Sequence, residues 1–110
     1  MGNGALGVRG KTCYIAGPMR GVDDLNRDSF NAMERRLSEM GAKTVYNPIR
    51  LAAFAFDGKR GLSREDIMRQ DVSDLMACDM VVMLEGWEHS RGASLEHELA
   101  VQLGIRVVYE

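Results

Sequence analysis

Along the chain, short apolar runs alternate with longer stretches in which apolar side chains recur every three or four positions. The run TCYIA at 12–16 has the near-continuous apolar character of a buried strand, and the GPMRG that follows holds two glycines and a proline that exclude regular structure. From 26 to 40, Phe30, Met33, Leu37 and Met40 repeat at i, i+3, i+7 and i+10, one face of a helix that Gly41 would close. KTVYNP at 43–48 predicts a second strand, stopped by Pro48, which also biases Asn47 away from helix. Within 49–62, IRLAAFAF fits a short helix and DGKRG an exposed turn. A loop of that length in a small domain is often functional. SRED, from Ser63, is a Ser-x-x-Asp variant of the capping box and opens a helix reaching about Ala77. DMVVML at 79–84 is a third strand, EGWEHSRG a loop, 93–103 a last helix closed by Gly104, and RVVY at 106–109 a fourth strand.

This β-α-β-loop-α-β-α-β order predicts an α/β chain: a single Rossmann/flavodoxin-like three-layer domain, with a short parallel sheet of about four strands flanked by helices and right-handed connections. Ligands of such sheets bind beyond the carboxyl ends of the strands, where the crossovers change side. Two loops are singled out by that rule, GPMRG and GWEHSRG.

Two acids break the pattern. With a helix starting near Gly92, Glu96 shares a face with Leu99, Ala100 and Leu103, and Asp71 shares one with Met68, Val72 and Leu75. A buried carboxylate is costly unless it is paired, solvated by a pocket or raised in pKa. Either acid could pair with a buried arginine or cap a backbone segment, but two of them beside two ligand-type loops point to a pocket. Placed in the first helical turn, Glu96 would be held ionised by the helix dipole. The amides around Ser90, Gly92 and Ala93 would point out of the same helix start toward an anion. Arg20, on the same sheet edge, can grip a phosphate or carboxylate bidentately, or be a surface arginine on a turn.

Composition narrows the choices. A chain of 110 residues with 45% hydrophobic content suits one core, and a formal charge of -2 with mixed signs leaves no basic footprint for a nucleic-acid polymer. Cys13 and Cys78 lie in apolar runs without zinc-ligand spacing and read as buried hydrophobes in a reducing, cytoplasmic setting. The glycine-rich 1–11 lacks an apolar signal core and reads as a flexible N-terminal tail, leaving the folded domain at 12–110 and no membrane association. Trp87 and His89 border the pocket or sit in a loop without chemistry. His97 is rotated away from Glu96 and receives no role, and Asp79 is expected to organise the strand entrance by hydrogen bonding.

CYIAGPMRG, DVSDLMACDMVVML and SRGASLEHELAVQLG, in this order, resemble segments of the nucleoside 2-deoxyribosyltransferase superfamily, which includes the 2'-deoxynucleoside 5'-monophosphate N-glycosidases. The likeness spans about 13–109 and is strongest to a small, often phage-encoded branch of unassigned activity. It implies N-glycosidic bond cleavage or base exchange on a nucleoside or nucleotide, without metal or cofactor. Glu96 would be the nucleophile at the sugar C1', and Asp71 the acid that assists base departure or activates the acceptor. Tyr14, Gly17 and Arg20 would border the sugar and its 5' group, and Ser90 and Gly92 would contact a phosphate. Pro18 stands where phosphate-binding relatives carry a hydroxyl, and Leu95 where an aromatic residue is common, so the substrate is open. A non-catalytic nucleotide-binding module using the same pocket is the alternative. A homodimer or higher homo-oligomer is expected in either case, and Phe54 and Phe56 would stack on a base or form a satellite cluster.

Overall fold

Alternation along the central strand divides the core in two. In the computed structural model, which describes residues 7–56 and 62–110 and the side chains of 7–53 and 62–110, β1 spans Thr12–Ala16. Cys13 and Ile15 pack on one face of the sheet with Phe30, Met33 and Leu37, whereas Tyr14 and Ala16 pack on the other with Leu75, Ala93 and Ala100. Strand β3, Met80–Met83, repeats the division: Met80 and Val82 on the first face, Val81 and Met83 on the second. A strand buried on both faces has no polar side to write into its sequence, which is why these runs read as continuous apolar stretches.

The sheet has four parallel strands in the order β2-β1-β3-β4, with β2 at Thr44–Tyr46 and β4 at Arg106–Tyr109. Helix α1 (Arg27–Glu39) covers one face. Helices α3 (Arg64–Met76) and α4 (Arg91–Gln102) cover the other, giving the three-layer α/β architecture. From β1 the chain first steps outward to β2, then returns across β1 to β3. The switch point therefore lies between the carboxyl ends of β1 and β3.

Helix ends follow their local chemistry. Ser63 and Asp66 form a reciprocal capping box at α3: the Asp66 amide donates to Ser63 Oγ at 3.0 Å and the Ser63 amide to Asp66 Oδ2 at 3.1 Å. Gly41 (φ 96°) and Gly104 (φ 72°) follow α1 and α4 in left-handed conformation, as expected for residues that end helices. Helix α2, Ile49–Phe56, occupies the apolar stretch after Pro48, and Asn47 Oδ1 accepts the Ile49 amide at 3.1 Å. Asp79 Oδ2 accepts the Thr12 amide at 2.9 Å, the role expected of it.

Three details differ from the sequence reading. Asn26 is left-handed rather than helical, together with Asp24 and Leu25, and its side-chain amide donates to the Pro18 carbonyl at 3.0 Å. That bond ties Asn26 back to the loop after β1. Helix α4 starts at Arg91, earlier than the expected 93, and Leu103 is exposed beyond its last turn. Packing begins before Thr12: Val8 is buried in the core and the Gly10 amide donates to the Gly41 carbonyl at 2.8 Å. Residues 1–6 of the expected tail, the DGKRG turn and the side chains of Phe54 and Phe56 lie outside the described residues. None of the helices among the described residues is long and apolar enough to cross a membrane.

Candidate functional site

The floor of the site is the carboxyl end of β1. Tyr14 is fully buried on the face shared with α3 and α4, and its hydroxyl donates to Glu96 Oε2 at 2.6 Å. Gly17 follows the strand and lies against Leu84: a Cβ at position 17 would come within 2.8 Å of the Leu84 Cβ. Only glycine lets the loop after β1 pass that close to the end of β3.

Helices α3 and α4 supply the two inward acids. Asp71 is 8% exposed and Glu96 5%, so the inward faces inferred from periodicity are the faces that the fold buries. Among the described residues neither acid is paired with an arginine. Glu96 is held by Tyr14, and Asp71 has no hydrogen-bond partner among the described residues. Burial pushes Asp71 up to about 7, helped by the charge of Asp74. Burial likewise pushes Glu96 up to about 8; the Tyr14 hydrogen bond works against this and the Asp71 charge adds to it.

Glu96 was expected in the first turn of its helix, held ionised by the dipole. Because Ser90 caps α4, with its hydroxyl accepting the Ala93 amide at 3.2 Å, Glu96 falls in the second turn. The dipole acts over roughly one turn and contributes about 0.3–1 kcal/mol at exposed sites. Desolvation of a nearly buried carboxyl is the larger effect, so Glu96 is pushed up to about 8 rather than held ionised by the dipole.

A cavity of ≈ 410 Å³ opens over these acids. Asp71 and Glu96 line it with Gly17, Arg20, Ser90 and Gly92, so six of the seven residues singled out from sequence meet at one surface. The seventh, Tyr14, reaches it through Glu96. Gly92 also serves packing, since a Cβ there would stand 3.4 Å from Met68 Cε. Its amide and that of Arg91 are the first-turn donors of α4 left over once Ser90 has taken Ala93.

His89 lines the cavity as well, whereas Trp87 turns away and stacks on His97, with ring centroids 4.2 Å apart. His97 in turn contacts the Tyr109 hydroxyl at 2.7 Å, so this aromatic group braces the loop before α4 against β4. Two charged lining residues were missed by sequence reasoning, Arg64 and Arg91, along with the apolar Met19, Leu25, Ala52 and Ile67. A signal for the two arginines existed: each stands directly after a serine cap, in Ser63-Arg64 and Ser90-Arg91, at the first position of a helix that points at the cavity.

A family model described as a domain of unknown function (DUF4406) matches residues 11–109, and the chain belongs to that family. No match was found among curated proteins.

Proposed function

We propose that this member of the family is nucleoside 2-deoxyribosyltransferase-like and acts on the N-glycosidic bond of a (deoxy)nucleoside or its 5'-monophosphate. Two nearly buried carboxyls on one cavity, the first held by a tyrosine and the second unpartnered, support this most directly. The likeness of the three sequence segments to that superfamily supports it too, as does the position of the cavity at the β1/β3 switch point.

Both acids have a place in a retaining displacement. With Oε2 occupied by Tyr14, Glu96 is free to attack the sugar C1' through Oε1. The C1'–N bond breaks, its electron pair stays on the base nitrogen, and Asp71 delivers its proton to the departing base. Water or a second base then attacks C1' with Asp71 accepting the proton, and Glu96 leaves as a carboxylate. Asp71, at about 7, is poised to give and take a proton near neutral pH. Glu96 must be ionised to attack, which the Tyr14 hydrogen bond favours. Arg20, Ser90 and the Gly92 amide are the groups proposed for the 5' end of the ligand.

A second reading is a nucleotide-binding module without turnover, favoured by the burial that pushes Glu96 up to about 8 and so disfavours the ionised form needed for attack. Incubation with a panel of deoxynucleosides and their 5'-monophosphates, with Glu96→Ala alongside, separates the two. Free base released by the parent and not by the variant is the expected result. Nucleotide binding without base release would replace the enzyme by the binding module.

We propose a homodimer or higher homo-oligomer, for which the exposed Leu95 and Val101 of α4 and Leu103 at its end offer apolar surface. Light scattering at micromolar concentration tests it, a strict monomer counting against it. The buried, unbridged Cys13 and Cys78 suit a reducing cytoplasm.

A further inference from the structure

Three arginines from three different segments line the same cavity: Arg20 after β1, Arg64 at the start of α3 and Arg91 at the start of α4. Three other arginines are neutralised, whereas Arg9, Arg35, Arg36 and Arg106, which do not line the cavity, have no ion-pair partner among the described residues. Arg27 pairs with Asp24, Arg50 with Glu34 and Arg69 with Asp66, each at 3.2 Å. Among the described residues, the three that line the cavity have no such partner. The acids closest to them in sequence do not supply one. Asp66 is taken by the Ser63 amide and by Arg69, and neither Glu65 nor Glu88 lines the cavity.

Arg91 is placed against its own helix. A cation at the first position meets the positive end of the helix dipole, and the first turn of α4 contains no acid to offset it. The leftover amides of Arg91 and Gly92 add two donors there. Such an arrangement is relieved by a bound anion. Arg64 also stands at the first position of its helix and lines the same cavity, although there Glu65 and Asp66 in the first turn offset the dipole. An independent sign that the cavity is made to be filled is Asp71, which is 8% exposed, lines the cavity and has no hydrogen-bond partner among the described residues.

One phosphate group carries at most two negative charges and is served by one bidentate arginine with a helix start. Here there are three guanidinium groups without an ion-pair partner among the described residues, together with the acid-free start of α4. We propose that the ligand carries a chain of two or more phosphates, a nucleoside di- or triphosphate, with Arg20 at the phosphate nearest the sugar and Arg64 and Arg91 on the distal ones. This rests on the nucleotide reading of the site above and names its substrate class.

The test is calorimetric titration of the full chain with one deoxynucleoside, its mono-, di- and triphosphate, and inorganic tripolyphosphate, together with chromatography for free base. Added charge-assisted contacts to the distal phosphates are expected to make the triphosphate bind roughly tenfold or more tighter than the monophosphate. Arg64→Ala and Arg91→Ala should each reduce triphosphate affinity at least about tenfold more than monophosphate affinity. Arg36→Ala, which removes an exposed charge on α1, should leave that preference unchanged. Equal affinity for mono- and triphosphate, or variants that weaken both alike, would overturn the proposal, and base release from the monophosphate would then leave the glycosidase reading standing. Triphosphate or tripolyphosphate preference without base release would support this proposal and count against catalysis. No binding by any member overturns both.

Discussion

The Tyr14 hydroxyl donates to Glu96 Oε2 at 2.6 Å, joining the buried middle of the central strand to the second turn of α4. The tyrosine is held well above its ordinary pKa, first by burial and then by the charge of Glu96, so it remains a donor across the working pH range. One bond therefore both ties α4 to the sheet and favours the ionised form of the carboxyl proposed to attack.

Tyr14→Phe separates those two effects. The ring still fills its place, but Glu96 loses its partner while buried, which costs about 1–3 kcal/mol of stability. The hydrogen bond is the one influence lowering the Glu96 pKa, so its removal should move that pKa further above about 8. Carboxyl NMR titration of parent and variant reads this directly. An unchanged titration would show that the bond does not assist ionisation.

Asp71 and Glu96 also set how stability depends on pH. Both have folded-state values, about 7 and about 8, above the 3.8 and 4.5 ordinary for these side chains. The folded chain therefore binds these protons more tightly than the unfolded one, and the associated stability is fully present below about pH 4 and lost as pH rises through 7 and 8. For Asp71 alone the loss is on the order of 4 kcal/mol. Asp71→Asn should abolish its share: urea midpoints of the parent should fall between pH 5 and pH 8, and those of the variant should fall less. Parallel falls in both proteins would place the titrating burial elsewhere.

Much of this arrangement is legible in the chain because each element is locally consistent. The alternation of Phe30, Met33 and Leu37, the Ser63 cap and the apolar runs at β1 and β3 all agree with the fold they enter. The inward turn of Asp71 and Glu96 is legible for the same reason, since helical periodicity places a side chain regardless of its chemistry. What periodicity does not carry is the order of parallel strands, which depends on crossovers between distant segments. It also misses Leu25 and Asn26, whose left-handed backbone depends on a side-chain bond to Pro18. Arg64 and Arg91 escaped notice because an arginine in the first turn of an amphipathic helix usually faces solvent, and only the meeting of two helix starts makes theirs a shared surface.

Gly17 and Leu84 should behave as a coupled pair. Gly17→Ala forces a methyl group to within 2.8 Å of the Leu84 Cβ, which belongs to a buried, immobile part of that side chain. The strand end must shift, at a cost of about 1–3 kcal/mol. In the double variant with Leu84→Ala the flexible end of the leucine is gone, although its Cβ stays, so the combined loss should be smaller than the sum. Denaturation of both single variants and the double variant gives the coupling, and strict additivity would mean that the loop accommodates the methyl group by moving away.

Ser63 and Ser90 perform the same capping chemistry in different surroundings. Each hydroxyl accepts a first-turn amide, at 3.0 Å from Asp66 and 3.2 Å from Ala93, so either serine changed to alanine should cost about 0.5–2 kcal/mol. Ser90 also lines the cavity, whereas Ser63 does not. Its hydroxyl accepts from Ala93 through a lone pair, which leaves the O–H free to donate to a bound anion. Thermal melts without ligand should therefore move similarly for the two variants. The further rise in melting temperature that a bound nucleotide produces should persist in Ser63→Ala and shrink in Ser90→Ala. A ligand-induced rise equal in both would remove Ser90 from the set of ligand contacts and leave it a cap alone.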